Sequence, residues 1–176
     1  MNNEKLLAHI GRREDFRFVT GQGLYTADMV PHGALHAVFA RSPIARGHLR
    51  HLSVDMARAA PDVVAVLTAL EAAQDGVANM VWTGAPVRDD GLAGFDSPRP
   101  LLNGSVIRHL GEPICMLVAK TRQAAMDALE LVDAVYDTDD AVALSIKDLN
   151  GPLVWPESPD NIAALHRVGD KHAVDA

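Results

Sequence analysis

Glu112 is the carboxylate in this chain with the strongest claim to acid–base chemistry. It stands beside Pro113 at the mouth of an apolar run, Ile114-Cys115-Met116-Leu117-Val118-Ala119. A carboxyl at the edge of a dry strand is a candidate general base. The competing reading, a loop acid that accepts hydrogen bonds from nearby backbone N–H groups, is the favoured one. Ser42 would need a base to become a nucleophile, and no histidine lies near it in sequence. The eight histidines (His9, His32, His36, His48, His51, His109, His166 and His172) are scattered, with no HxxxH pair on a helix. His48 and His51 fall on opposite faces of a predicted strand, which argues against a metal pair. Asp137, Asp139 and Asp140 lack the spacing and closing glutamate of a calcium loop, so a solvated turn is expected. Gly21-x-Gly23 lacks the third glycine of a phosphate loop and follows no buried strand, and reads as turn chemistry. From the residues alone, no catalytic, cofactor-binding or metal-ligating site emerges.

Composition narrows the class further. The chain has 176 residues, 48% of them hydrophobic and only 5% aromatic, so its core must be aliphatic and alanine-rich. Lysine and arginine number 16 against 23 acidic residues, for a net charge of −7. No nucleic-acid or anionic-membrane partner is expected, since phosphate binding needs clustered cations and only Arg12-Arg13 adjoin. The single cysteine, Cys115, excludes an intrachain disulfide, and an iron–sulfur or cysteine–zinc site supplied by this chain alone. Inside an apolar run it reads as an inert buried thiol. The first ten residues carry charge and lack the apolar segment of a signal peptide, so a cytoplasmic location is the default.

The elements that must position these residues centre on Leu110 to Asp137. Six apolar residues between Pro113 and Lys120 are too few to span a membrane and fit a strand buried on both faces. Thr121 is a good N-cap for a helix from Arg122 to about Leu131, whose apolar positions Ala125, Ala128, Leu129 and Val132 recur at helical spacing. Val132 to Asp137 alternates as a short strand. Upstream, Ala34–Ala40, Leu49–Val54 and Val63–Leu67 read as strands. Asp55 is expected to cap a short helix, Met56–Ala60, that Pro61 ends. Thr68 to Glu71 has capping-box spacing and predicts a short helix to about Ala73. Gln74 to Ser105 is a long Gly/Pro-rich excursion with Trp82 and Phe95 as anchors, and such long loops are usually functional or interfacial. Val106–His109 is a further strand, and a turn of helix is expected at Ser145–Leu149. Gly151 to Pro159, with three prolines in nine residues, reads as an extended connector lying on a surface. The last residues from Gly169 look like a helix that begins and is cut off.

Several segments occur together in one order: Gly21-Gln22-Gly23-Leu24-Tyr25-Thr26-Ala27-Asp28, Leu35 to Ala45, Pro61 to Thr68, Gly111-Glu112-Pro113-Ile114, and Val135-Tyr136-Asp137. This set resembles the α/β-hammerhead domain that opens the large, molybdenum-carrying subunit of the xanthine dehydrogenase, aldehyde oxidase and carbon monoxide dehydrogenase family. The resemblance divides the chain into a leader at 1–9, a hammerhead domain at 10–150, and a connector at 151–176 that leads toward a molybdopterin-binding region. It implies an α+β fold with a mixed sheet and flanking helices. It also implies a cytoplasmic oxidoreductase acting on aldehydes, N-heterocycles or carbon monoxide with water as oxygen source. The molybdopterin cofactor, iron–sulfur clusters and FAD would belong to the complete enzyme, and none to this chain. The short leader resembles the bacterial arrangement, with iron–sulfur and FAD modules on separate subunits.

The expected role is therefore docking against the remainder of the molybdenum subunit, without activity in isolation. Ile44 and Arg46 stand where histidines are frequent in the family pattern, and no catalytic residue is carried over. Arg41, Ser42, Pro43, Gly111, Glu112 and Pro113 are expected as packing positions against the remaining part. A docking domain should expose an apolar patch larger than a few hundred Å2, built from Trp82, Phe95 and Trp155. The alternatives are a stand-alone scaffold, with a polar surface or a homodimer interface, and a small hydrolase with a closed pocket and a pKa-shifted acid.

Overall fold

The structure, a computed structural model, describes residues 12, 14–77, 79–80, 86–140, 149 and 151–169. The chain divides into two compact units, Met1–Ala34 and Leu35–Ala176. In the first, a one-turn helix α1 (Asp15–Val19) precedes a 3-10 turn at Thr26–Asp28. Sequence patterning did not predict α1, because it buries none of its residues and so has no apolar stripe to read. Phe18 and Tyr25 stack within this unit at 5.4 Å.

The second unit holds the core. Its elements are β1 (His36–Arg41), β2 (Gly47–Ser53), α2 (Asp55–Ala59), β3 (Val63–Thr68), α3 (Ala69–Gln74), β4 (Val106–Ile107), β5 (Pro113–Ala119), α4 (Arg122–Leu129) and β6 (Asp133–Thr138). The α+β expectation holds. The strands divide into two three-stranded sheets, ordered β1-β5-β3 and β4-β2-β6, and every named pairing is antiparallel. The mixed character implied by the resemblance therefore does not extend to these pairings: β5 enters between β1 and β3 and runs opposite to both. Helix α4 lies against the first sheet, and α2 against β3 and α4.

One cluster joins the two sheets. Ala40, Val66, Cys115 and Leu117 from the first meet Leu49 and Ile107 from the second, with Ala57 and Ala128 from the helices. Alanine at the helix positions lets backbones approach closely, which suits a chain with so few aromatics. Thr121 caps α4 as expected, its hydroxyl oxygen accepting the Ala124 N–H at 3.1 Å. Glu71 accepts the Thr68 N–H at 2.7 Å, the returning half of the expected capping box.

Three local expectations are corrected. Helix α2 starts at Asp55, with Val54 as its N-cap and no side-chain cap bond, so Asp55 sits in the first turn and favours the helix through the dipole. In β2 strict alternation fails. A register shift between Leu49 and His51 places Arg50 in a bulge, so that Leu49 and Leu52, three apart, both reach the core. In β5 only one face is fully covered, since Met116 and Val118 are half-buried while Cys115, Leu117 and Ala119 are buried. The helix turn expected at Ser145–Leu149 and the start of a helix after Gly169 lie outside the described residues, Leu149 and Gly169 excepted.

Candidate functional site

The two tripeptides singled out in the sequence meet at one end of the first sheet. The Ser42 N–H donates to the Glu112 carbonyl, and the Gly111 N–H donates to the Ser42 carbonyl, each at 2.9 Å. Arg41 Nη1 donates to the Gly111 carbonyl at 2.8 Å. Gly111 takes φ +80°, a turn conformation that a side chain would strain. Ser42 is buried, and its hydroxyl is occupied by the Ile44 backbone, donating to the carbonyl and accepting the N–H. It is a loop closure, not a nucleophile. Pro43 is exposed beside it.

Glu112 is 4% exposed. Its Oε1 accepts Asn103 Nδ2 at 2.7 Å and its Oε2 accepts the Arg108 N–H at 2.8 Å, with His109 Nδ1 3.7 Å away. Asn103 in turn donates from Nδ2 to the Val106 carbonyl and accepts the Ser105 N–H. The carboxylate therefore organises the loop that delivers β4, which is the favoured reading from sequence. Both oxygens are engaged in holding this loop.

Pro113, Glu112 and Arg41 open onto a groove of about 570 Å3. Its other walls come from the excursion (Phe95 and 97–101) and from the connector (Val154, Trp155 and their neighbours). Two of the three expected aromatic anchors thus converge: Phe95 and Trp155 lie 6.1 Å apart at a tilt of 50°. Trp82 lies outside the described residues. The guanidinium of Arg108 sits 3.7 Å from the Trp155 ring centroid, a cation–π contact at the floor of the groove. Arg108 Nε is buried without a hydrogen-bond partner among the described residues.

The connector differs from the extended strap expected of its prolines. It is folded into turns around Asn161, whose side chain accepts the Val154 N–H at 2.9 Å and donates toward the Leu149, Gly151 and Pro152 carbonyls. It is fastened to the excursion by Arg88, whose side chain is almost fully buried. Arg88 grips Asp90 through two nitrogens and Asp160 and the Ile162 carbonyl through a third. Backbone bonds from Asp89, Phe95 and Leu165 complete the seam. Hydrogen bonding to Asp90, then Asp160, raises the Arg88 pKa, and the same bond holds Asp90 down to about 2. Asp160 is lowered by the same guanidinium. Sequence reasoning missed this cluster. Arg88-Asp89-Asp90 is visible as a charged triplet, but nothing local marks a partner 72 residues away.

A family model described as the a/b hammerhead domain of aldehyde oxidase and xanthine dehydrogenase matches residues 20–140. The chain belongs to that family. Among curated relatives, this hammerhead chain is 32% identical to the nicotine 6-hydroxylase large subunit of Paenarthrobacter nicotinovorans, over 90% of its own length and 19% of the relative. It is 34% identical to the carbon monoxide dehydrogenase large chain of Hydrogenophaga pseudoflava, over 93% of its length and 21% of the relative. Among solved structures, quinoline 2-oxidoreductase from Pseudomonas putida 86 superposes with a TM-score of 0.71 at 32% identity, covering 81% of this chain and 17% of that one. The hammerhead chain thus spans about a fifth of the length of the curated relatives it matches.

The described residues gather no cluster of side chains able to ligate a bare metal ion. No group of three or more His, Cys, Asp or Glu among them could hold a metal ion. Cys115 is fully buried, and desolvation pushes its thiol up to about 11, away from a ligating thiolate. His48 faces Asp139 at 4.0 Å and Asp137 binds Arg50 at 2.5 Å, so the acidic turn is used in pairs. No described helix is long and apolar enough to cross a membrane.

Proposed function

We propose that this chain is the hammerhead part of a molybdenum-hydroxylase large subunit and that its work is docking. Residues 10–150 would form the domain and residues 151–176 the connector toward the cofactor-bearing polypeptide. The complete enzyme would oxidise an aldehyde, an N-heterocycle or carbon monoxide with water as oxygen source. Its molybdopterin would be held by the rest of the large subunit. Electrons would leave through iron–sulfur and FAD subunits in the cytoplasm. The observation that carries this reading is the family match across residues 20–140 within relatives about five times as long. The engaged state of Glu112 and Ser42 supports it, because the two most reactive-looking groups here are committed to loop structure.

The test is reconstitution. The purified chain, the rest of its large subunit, and the iron–sulfur and FAD subunits are assayed separately and together for dye reduction by aldehydes, N-heterocycles and carbon monoxide. Activity is expected only when the chain and the cofactor-bearing polypeptide are both present. Stoichiometric molybdopterin on the isolated chain would overturn the proposal.

A further inference from the structure

Strand β5 is apolar from Ile114 to Ala119, the pattern of a strand covered on both faces. Here only one face is fully covered, and on the other Ile114 is buried while Met116 and Val118 are half-buried. Strand register extends this second face across the sheet in two apolar rows, Phe39–Met116–Leu67 and Ala37–Val118–Ala65. None of these side chains belongs to the core cluster. Phe39 also lines the groove, so sheet face and groove form one continuous surface.

Charge marks the groove end of that surface. Arg41, Arg99 and Arg108 line it, and none has a carboxylate within ion-pair distance among the described residues. The two carboxylates of the lining are already engaged, Glu112 by Asn103 and the Arg108 amide, and Asp160 by Arg88. In a chain of net charge −7 this cationic lining is a local reversal of sign.

We propose that the outer face of the β1-β5-β3 sheet and the adjoining groove are a single docking surface for an acidic segment, carrying apolar side chains, from the remainder of the large subunit. This rests on the docking reading above and adds the address and the chemistry of the partner. Apolar side chains of the segment cover Met116 and Val118 and enter beside Phe95 and Trp155. Its carboxylates meet Arg41 and Arg99 at the rim, where charge sets orientation and association rate. A second copy of the chain fits poorly, because a two-fold axis here would bring like arginines together.

The experiment titrates the rest of the large subunit, expressed as a separate chain, against wild-type chain and an Arg41→Glu/Arg99→Glu variant at low and moderate salt. Hydroxyl-radical footprinting reads side-chain protection. Expected results are protection of Phe39, Met116 and Trp155, and a Kd raised about tenfold or more by charge reversal with a flatter salt dependence. Thermal melts check that the variant folds, and if it does not, the wild-type footprint decides alone. Binding with protection elsewhere overturns this surface and leaves the docking reading standing. No binding at all overturns both. A dimer of the isolated chain protected on this face assigns the surface to a second copy and overturns the proposed partner.

Discussion

Replacing Glu112 by glutamine changes one oxygen into an NH2 group and almost nothing else, so it isolates what the carboxylate does. In the folded chain both oxygens accept, from Asn103 Nδ2 at 2.7 Å and from the Arg108 N–H at 2.8 Å. Glutamine has one acceptor, so whichever way the amide is turned, a donor faces a donor at one of the two positions. The residue is 4% exposed, and water does not readily replace the lost partner. A hydrogen bond to a charged group contributes about 1.5–3 kcal/mol, which for a domain of this size is a fall in Tm of about 3–12 °C.

Differential scanning calorimetry gives that shift, and urea titration should show a lower midpoint at unchanged slope. Hydrogen exchange adds the location: the Arg108 amide should exchange faster in the variant, while Leu117 in the core strand is affected only through global stability. An unchanged Tm together with an unchanged Arg108 amide would refute the claim that Glu112 holds this loop, and would reopen its reading as a free acid–base group.

Three further outcomes follow from the same fold. Gly47→Ala should destabilise the β2–β6 pairing, because φ there is +146° and a Cβ would run into the Asp137 carbonyl oxygen; faster amide exchange along β6 and a lower urea midpoint check it. Cys115 should resist iodoacetamide at neutral pH in the native chain and react promptly once the chain is unfolded, since its thiol is buried and raised to about 11. The seam at Arg88 should open in acid: Asp90 and Asp160 have depressed folded-state pKa values, so their stabilisation is present above the ordinary carboxylate range and is lost as pH falls from roughly 4 toward about 2. A rise in the exchange rate of the Leu165 and Phe95 amides over that window, removed in Arg88→Ala because the seam is already open, would be read by mass spectrometry.

What was legible in the sequence follows the range of the forces involved. Strands β1, β3 and β5, the capped helices α3 and α4, and the strand β6 are each signalled by residues within one element, and each is found within two or three residues of its expected bounds. The bulge at Arg50 was not legible, because it depends on which of two apolar residues the opposite sheet receives. The fold of the connector was not legible either. Prolines at 152, 156 and 159 indicate extended chain, but one asparagine, Asn161, gathers the backbone into turns through four hydrogen bonds. The convergence of Phe95 with Trp155 was expected as a shared patch; its cation, Arg108, was not.

The tripeptides Arg41-Ser42-Pro43 and Gly111-Glu112-Pro113 show why reactive residue types can mislead at a site of this kind. A serine and a glutamate brought together from 70 residues apart invite a catalytic reading. Their polar atoms are all used inward: Ser42 closes its own turn, Glu112 holds Asn103 and the Arg108 backbone, and main-chain bonds join the two segments. The consequence of that commitment is shape. It fixes Phe39 and Arg41 at the end of β1, Pro113 at the start of β5, and Arg108 under Trp155, so the groove is built on bonded loops and a sheet edge instead of on mobile chain. A surface preorganised in this way binds a partner with less ordering to be done on association. On the proposed docking reading, buried hydrogen bonds act through rigidity, and a variant that loosens them should weaken docking by disordering the groove.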